Sequence, residues 1–247
     1  MGMNRYLNYD DLTNEKNRLL DRVQGYSELS MYKEALEESR KLVRMDPDDP
    51  ALLIDLGSSY EEIGQVDKAI KYYKYAIRKF PMYSCSLTKL YVNLGYCLEK
   101  YKKQHSMAMV CYEKALELDP YNEWALNNIA SILKSEGKRK ESLRYYKLAY
   151  RAYKKKHGAV CYKILHNLAW AFFLCKNYRP AHRIYYYLAN ECPEKNYVLS
   201  DYGCVCYRIG NYEKAWDLFE KARSMYPKVR YYQRLCRVAR KKIEQKT

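Results

Sequence analysis

Apolar residues recur along this chain with a helical beat, and the beat restarts in closely similar stretches. Between Pro50 and Tyr83, Leu53, Leu56, Gly57 and Tyr60 share one helical face at i, i+3, i+4 and i+7, while Ala69, Tyr73 and Ala76 line a second helix. Asp49 is placed to cap the first helix and Pro50 suits its first position. Gly64 supplies a left-handed turn, and Pro81 stops the second helix. The stretch predicts a helix–turn–helix hairpin. Such a hairpin cannot bury its apolar face alone, so neighbouring copies must complete it.

The copies are present. The small residue of the second helix recurs at Ala35, Ala69, Ala108, Ser142, Ala181 and Ala215, at intervals of 34, 39, 34, 39 and 34. The small residue of the first helix recurs at Gly57, Gly95, Ala130, Ala169 and Gly203, with Val23 in the first copy. Pro47, Pro81, Pro120, Pro193 and Pro227 close units. These three tracks share a period of 34, and the chain resembles the tetratricopeptide repeat family on those residues. The resemblance covers residues 16–229 in frames 16–49, 50–83, 88–122, 123–156, 162–195 and 196–229. It implies an all-α fold, a right-handed α-solenoid of six helix–turn–helix repeats. Residues 1–15 are left as an N-terminal leader. Residues 230–247 make a basic capping helix, with Tyr231, Leu235 and Val238 as its apolar stripe and Arg230, Arg234, Arg237 and Lys241 as its basic one.

Departures from the pattern are local. Val23 stands where Gly or Ala is usual, and Ser39 where an aromatic is usual, as suits an end repeat. The longer intervals come from four extra residues at 84–87, one in the third turn and five at 157–161. The fourth copy lacks its closing proline; Lys154 stands there, followed by Lys155, Lys156 and His157. Its second helix is expected to run on and to widen the step to the fifth copy.

Charge adds a preference for acidic partners. The 247 residues carry 45 Lys+Arg against 29 Asp+Glu, a net +16. Residues 1–49 are net negative, with 8 basic and 11 acidic side chains, so the surplus lies beyond them. Residues 138–163 hold ten Lys/Arg and one acid, and residues 228–247 hold eight and one. No apolar run approaches the roughly 18 residues that span a bilayer, so membrane insertion is not expected. Tyr6 stands where a myristoylation motif wants Ser or Thr, and no other targeting signal appears, which leaves the cytoplasm as the default. The nine cysteines fall mostly inside apolar helical stretches and read as small buried hydrophobes in a reducing compartment.

The search for chemistry returns little. GxGxxG, GxxxxGK, HExxH and GxSxG are all absent. Cys204 and Cys206, with His182 and Cys192 upstream, carry zinc-ligand chemistry, but the pair points to different faces of one helix and reads as packing. His166 near Cys161 or Cys175 lacks an orienting group. No catalytic residue, metal or cofactor is expected.

The resemblance implies that the first helix of each repeat lines a concave groove. Its exposed positions give Asn17, Leu20, Gln24, Ala51, Ile54, Ser58 and Glu61 in the first two repeats. Lys89 and Tyr96 follow in the third, then Trp124, Asn127 and Lys134, with Asn128 alongside, in the fourth. The fifth offers Lys163, His166, Trp170 and Phe173, and the sixth Tyr197 and Tyr207 with Arg208 beside it. The two-carboxylate clamp of chaperone-tail binders is incomplete: Asn128 and Lys163 fit it, but Val92, Tyr96 and Asn167 do not. The expected function is a non-catalytic interaction scaffold for an acidic peptide, extended or helical. The alternative is a basic module for single-stranded RNA or DNA, since aromatic stacking in a positive groove serves that ligand too.

Overall fold

The computed structural model describes residues 9–245, with side chains from residue 13 onward. Among the described residues it contains thirteen helices and no strand. The chain divides into two compact bodies, one ending at Pro120 and one beginning at Tyr121.

The N-terminal body holds three hairpins: α1 (Tyr9–Glu28) with α2 (Tyr32–Met45), α3 (Pro50–Glu62) with α4 (Val66–Lys79), and α5 (Ser84–Lys100) with α6 (His105–Leu118). The expected leader is partly helical, because α1 already begins at Tyr9; residues 1–8 lie outside the described residues. The four extra residues at 84–87 add a turn to the start of α5, with Leu87 buried. Asp49 caps α3 by accepting a 2.8 Å hydrogen bond from the Ala51 N–H. Gly64 turns the chain at φ +80°. The corresponding turns at Ser30 and Lys103 are left-handed without glycine, at φ 59° and 57°.

A close crossing builds each hairpin. Gly57 faces the ring of the fully buried Tyr73 so tightly that an added Cβ would lie 2.3 Å from Cε1. Gly95 and Tyr112 repeat the contact at 2.6 Å. In the first repeat Ser39 takes the place of that ring and meets Ser59 of the next repeat in a buried 3.1 Å hydrogen bond.

The C-terminal body pairs α7 (Glu123–Ser135) with α8 (Arg139–His157), α9 (Tyr162–Leu174) with α10 (Tyr178–Glu191), and α11 (Asn196–Arg208) with α12 (Tyr212–Met225); α13 (Arg230–Glu244) closes it. One core runs through all of these elements, centred on Ala130, Tyr146, Ala169, Tyr185, Tyr202 and Phe219. α8 does run on, for 19 residues, and Gly158 ends it at φ 64°. Its last turn is tied to Glu123 at the start of α7. Its side chain is 3% exposed, and it accepts hydrogen bonds from Lys156 at 3.3 Å and bonds His157 at 3.0 Å. Burial pushes this carboxyl up, but His157, the helix-start backbone and Lys156 together hold it below the ordinary carboxylate value.

α13 differs from the expected register. Tyr232, Cys236 and Ala239 are buried, whereas Tyr231 is 51% and Val238 43% exposed. The small Cys236 and Ala239 side chains let α13 approach α12 closely, and the bulkier stripe is turned to the edge. The basic stripe does face solvent.

Successive repeats meet through their first helices. Within the N-terminal body α3 touches α5, and within the C-terminal body α9 touches α11. Second helices reach the next repeat through its first helix, α4 on α5, α8 on α9 and α10 on α11. The first helices therefore form the tighter, inner face of each body.

Candidate partner-binding site

In the C-terminal body the inner wall is made by α7, α9 and α11. Trp124 is half-buried and meets Tyr153 of α8 edge-on at 6.2 Å. Lys163 reaches back from α9, its Nζ 5.9 Å from the Trp124 ring centre, so the cation and the ring form one feature. Trp170 and Phe173 stack at 4.8 Å and 25°, and Tyr178 continues the aromatic strip at 5.8 Å from Phe173. Both are half-buried against the core and keep part of their rings open. Lys134 is half-buried, Tyr197 is 45% exposed and Arg208 is exposed. Tyr207 is half-buried against Tyr212.

Three expected wall residues, Asn127, Asn128 and His166, are already engaged. Asn127 is only 3% exposed, and its place on an open wall is corrected. It accepts a 2.9 Å hydrogen bond from the Asn167 amide and donates one to Asn128 at 3.2 Å, so three amides knit α7 to α9. Asn167, one of the three residues that depart from the clamp, is thus a strut between helices. His166 is paired with Asp201 of α11 at 2.9 Å and packed edge-on against Tyr197 at 5.0 Å. It is therefore half-buried and oriented.

The wall of the N-terminal body has another character. Lys89 is exposed on α5 and opposes the desolvation that raises the Asp55 carboxyl. Tyr96 is covered by Lys100, whose Nζ lies 4.8 Å from the ring centre and donates to its hydroxyl. Glu61 accepts from Cys97 Sγ at 3.5 Å and Tyr101 Oη at 3.4 Å, and burial raises its carboxyl above the ordinary range. A hollow of about 330 Å³ opens between α1 and α3, with Asp21, Asp55 and Glu62 on its lining.

Asp21, Asp55 and Asp201 were missed as wall residues, and the frames contain the signal that finds them. Each is the sixth residue of its repeat, the position held by Asn93, Asn128 and Asn167 in the other three. A short amide or carboxylate thus recurs at one fixed turn of the first helices within each body.

Two of the described cysteines lie on α11. Burial raises the Cys204 and Cys206 thiols to about 11, which leaves little thiolate at neutral pH. Cys206 is fully buried in the core. Among the described residues no three His, Cys, Asp or Glu side chains converge in a metal-sized group, and no helix is long and apolar enough to cross a membrane.

The family model for the Psidin N-terminal TPR repeats region matches residues 25–157, just over half of the chain. The chain belongs to the tetratricopeptide repeat (TPR) family. A small glutamine-rich TPR-containing protein 2 of Mycosarcoma maydis is 29% identical over 100 residues, 40% of this chain and 27% of that protein. This TPR chain thus aligns with well under a third of that relative's length. Among solved structures, Cut9 with Hcn1 of the APC/C superposes with a TM-score of 0.79 at 18% identity, over 93% of this chain and 46% of that one. PilF of Pseudomonas aeruginosa gives 0.71 at 16% identity, over 90% and 97%. YrrB, described as a TPR protein with an unusual peptide-binding site, gives 0.60 at 17%, over 84% and 100%. These likenesses establish an all-α TPR repeat fold. TPR repeats generally serve as protein-interaction scaffolds and not as catalysts.

Proposed function

We propose that this TPR chain holds a segment of a partner protein against its first helices, and that the C-terminal body takes an acidic segment with apolar anchors. The observation that carries the reading is the wall of α7 and α9. There Lys163 stands over Trp124 and the Trp170–Phe173 stack keeps part of its surface open. Aromatic anchors and a cation on a pre-formed helix face are what extended peptides use for affinity and register. YrrB, with the same fold, is described as having an unusual peptide-binding site, which supports a peptide as the ligand here. Single-stranded nucleic acid is the alternative, and the paired Asp201 and the carboxylates of α3 count against a uniformly anionic ligand.

The deciding experiment is affinity capture by this protein from lysate with and without nuclease, followed by titration of the captured ligand. A protein ligand survives nuclease and shows a shallow salt dependence. A nucleic-acid ligand is lost, and log affinity falls with log salt by about 0.7–0.9 per phosphate neutralised. Lys134→Glu with Lys163→Glu slows association, and Trp124→Ala raises the off-rate. Binding unchanged by all three substitutions removes the inner wall as the site.

A further inference from the structure

We infer a second docking site in this protein, on its outer face between α8 and α10, built for an acidic peptide segment carrying one bulky apolar side chain. The site lies away from the first-helix wall and stands on separate observations.

The first observation is a crevice of about 500 Å³. The second helices α8 and α10 are held apart by α9, and the extra residues 157–161 stretch the step between them. The gap is floored by Leu165 and Val160. Tyr150 of α8 forms one wall, and Ile184 and Tyr187 of α10 form the other. Pro180 lies at the mouth, in the frame position that Lys68 and Lys214 occupy in repeats two and six. A compact ring there, in place of a long lysine stem, leaves the apolar floor uncovered. The volume lies within the usual range of ligand sites, about 300–1,000 Å³, and accommodates a large side chain with the turn that carries it.

The second observation is the charge around the mouth. Arg183 lines it, and Arg179 lies one turn away on the same face of α10. On α8, Lys147 and Lys154 flank Tyr150 at i−3 and i+4, and both are exposed. Lys154, Arg179 and Arg183 make no ion pair among the described residues. Lys147 only lies over the Phe172 ring, at 5.2 Å. The acids of these two helices are Glu141 at the start of α8 and Glu191 at the end of α10, and Glu191 already accepts from Tyr162. An apolar slot inside a cationic rim matches a segment with the inverse pattern, an apolar residue between acids. The aliphatic floor favours a peptide over nucleic acid, which gains its affinity by stacking bases on open aromatic faces.

The probe is a fluorescein-labelled decapeptide of glutamate and aspartate with one central phenylalanine. It is titrated against the full chain by fluorescence anisotropy, beside the same peptide with serine at the centre. The phenylalanine peptide is expected to bind at least tenfold tighter. Arg183→Glu with Lys154→Glu is expected to weaken it at least tenfold in dilute salt, with the difference shrinking in high salt. Tyr187→Ser, on the wall of the crevice at a position 38% exposed, is expected to erase the preference for phenylalanine. Lys163→Glu on the inner wall changes affinity by less than twofold, which separates this site from the proposed groove. Circular dichroism melts check that each variant is folded. The inference is overturned if the two peptides bind alike or if binding survives the rim substitutions. No binding up to about 1 mM, or a thymidine decamer that binds tighter and responds to the same substitutions, overturns it equally.

Discussion

Replacing a single hydrogen by a methyl group at Gly203 should destabilise this protein, although the same change elsewhere in a helix does the opposite. Gly203 lies inside α11, where alanine is favoured over glycine by about 0.5–1 kcal/mol. Against that, the new Cβ would stand 2.4 Å from Cε1, 2.7 Å from Cδ1 and 3.0 Å from Cζ of Phe219. Carbon atoms prefer separations of about 3.5–4.0 Å, so the ring must retreat by about 1 Å. Phe219 is 2% exposed and enclosed by the core, so it has nowhere to go without moving α12. Overpacking of this kind costs about 1–3 kcal/mol. With the central values, about 2 against about 0.75, the net effect of Gly203→Ala is a loss of about 1 kcal/mol, and the ranges bound it at about 2.5 kcal/mol. Gly25 provides the control: it lies within α1 and a Cβ there meets nothing within 4 Å, so Gly25→Ala should be neutral or stabilising. The assay is urea unfolding followed by circular dichroism, with amide exchange to localise the change, because repeat arrays open repeat by repeat. Exchange should accelerate in α11 and α12 in G203A and not in G25A. Adding Phe219→Leu should recover about 1 kcal/mol relative to the sum of the single substitutions. If G203A is as stable as the parent, or if the two substitutions add, the close crossing is not what fixes glycine at this position.

Three further outcomes follow from the packing. Ala69→Leu and Ala215→Leu, at fully buried crossings, should each cost about 1–3 kcal/mol, and unchanged urea midpoints for both would contradict the hairpin geometry. Lys176 adopts φ 60° in the turn after α9 and is exposed, so Lys176→Gly should raise the unfolding free energy by about 0.5–1 kcal/mol through relief of left-handed strain; a lower unfolding midpoint counts against the strain. Glu123→Gln should cost about 1–2 kcal/mol at neutral pH, because it removes the charge from bonds to Lys156 and His157. The native carboxyl is held below its ordinary value of 4.5, so its contribution is complete above that value and disappears as pH falls through the lower folded value. Thermal melts of the parent and E123Q should therefore converge in acid, and a constant gap would refute the charge-based account.

The hairpins were legible in the sequence because they are decided locally. Gly57 opposite Tyr73, Asp49 before Pro50 and Gly64 in the turn each act within a few residues or across one hairpin, so periodicity and φ preference suffice to read them. The extension of α8 was visible as a missing proline, but the partner that holds its last turn was not. Glu123 meets Lys156 and His157 from more than thirty residues away, and only the packing of α7 on α8 makes the acid a buried partner. Lys103 and Lys176 carry no mark in sequence of their left-handed backbone, which is imposed by the helices on either side. The frame positions named candidates for an inner wall, yet which of those side chains stay uncovered depended on the neighbouring repeat. Asn127 was taken up by Asn167, and His166 by Asp201. The azimuth of α13 moved by one residue, because Cys236 and Ala239 fit the surface of α12 more closely than Leu235 and Val238. The crevice between α8 and α10 could not be read at all: it is a space between helices, set by their separation and not by any pattern along one of them. Local spacing determines which residues form each helix, and only the neighbouring helix decides which of their faces are covered.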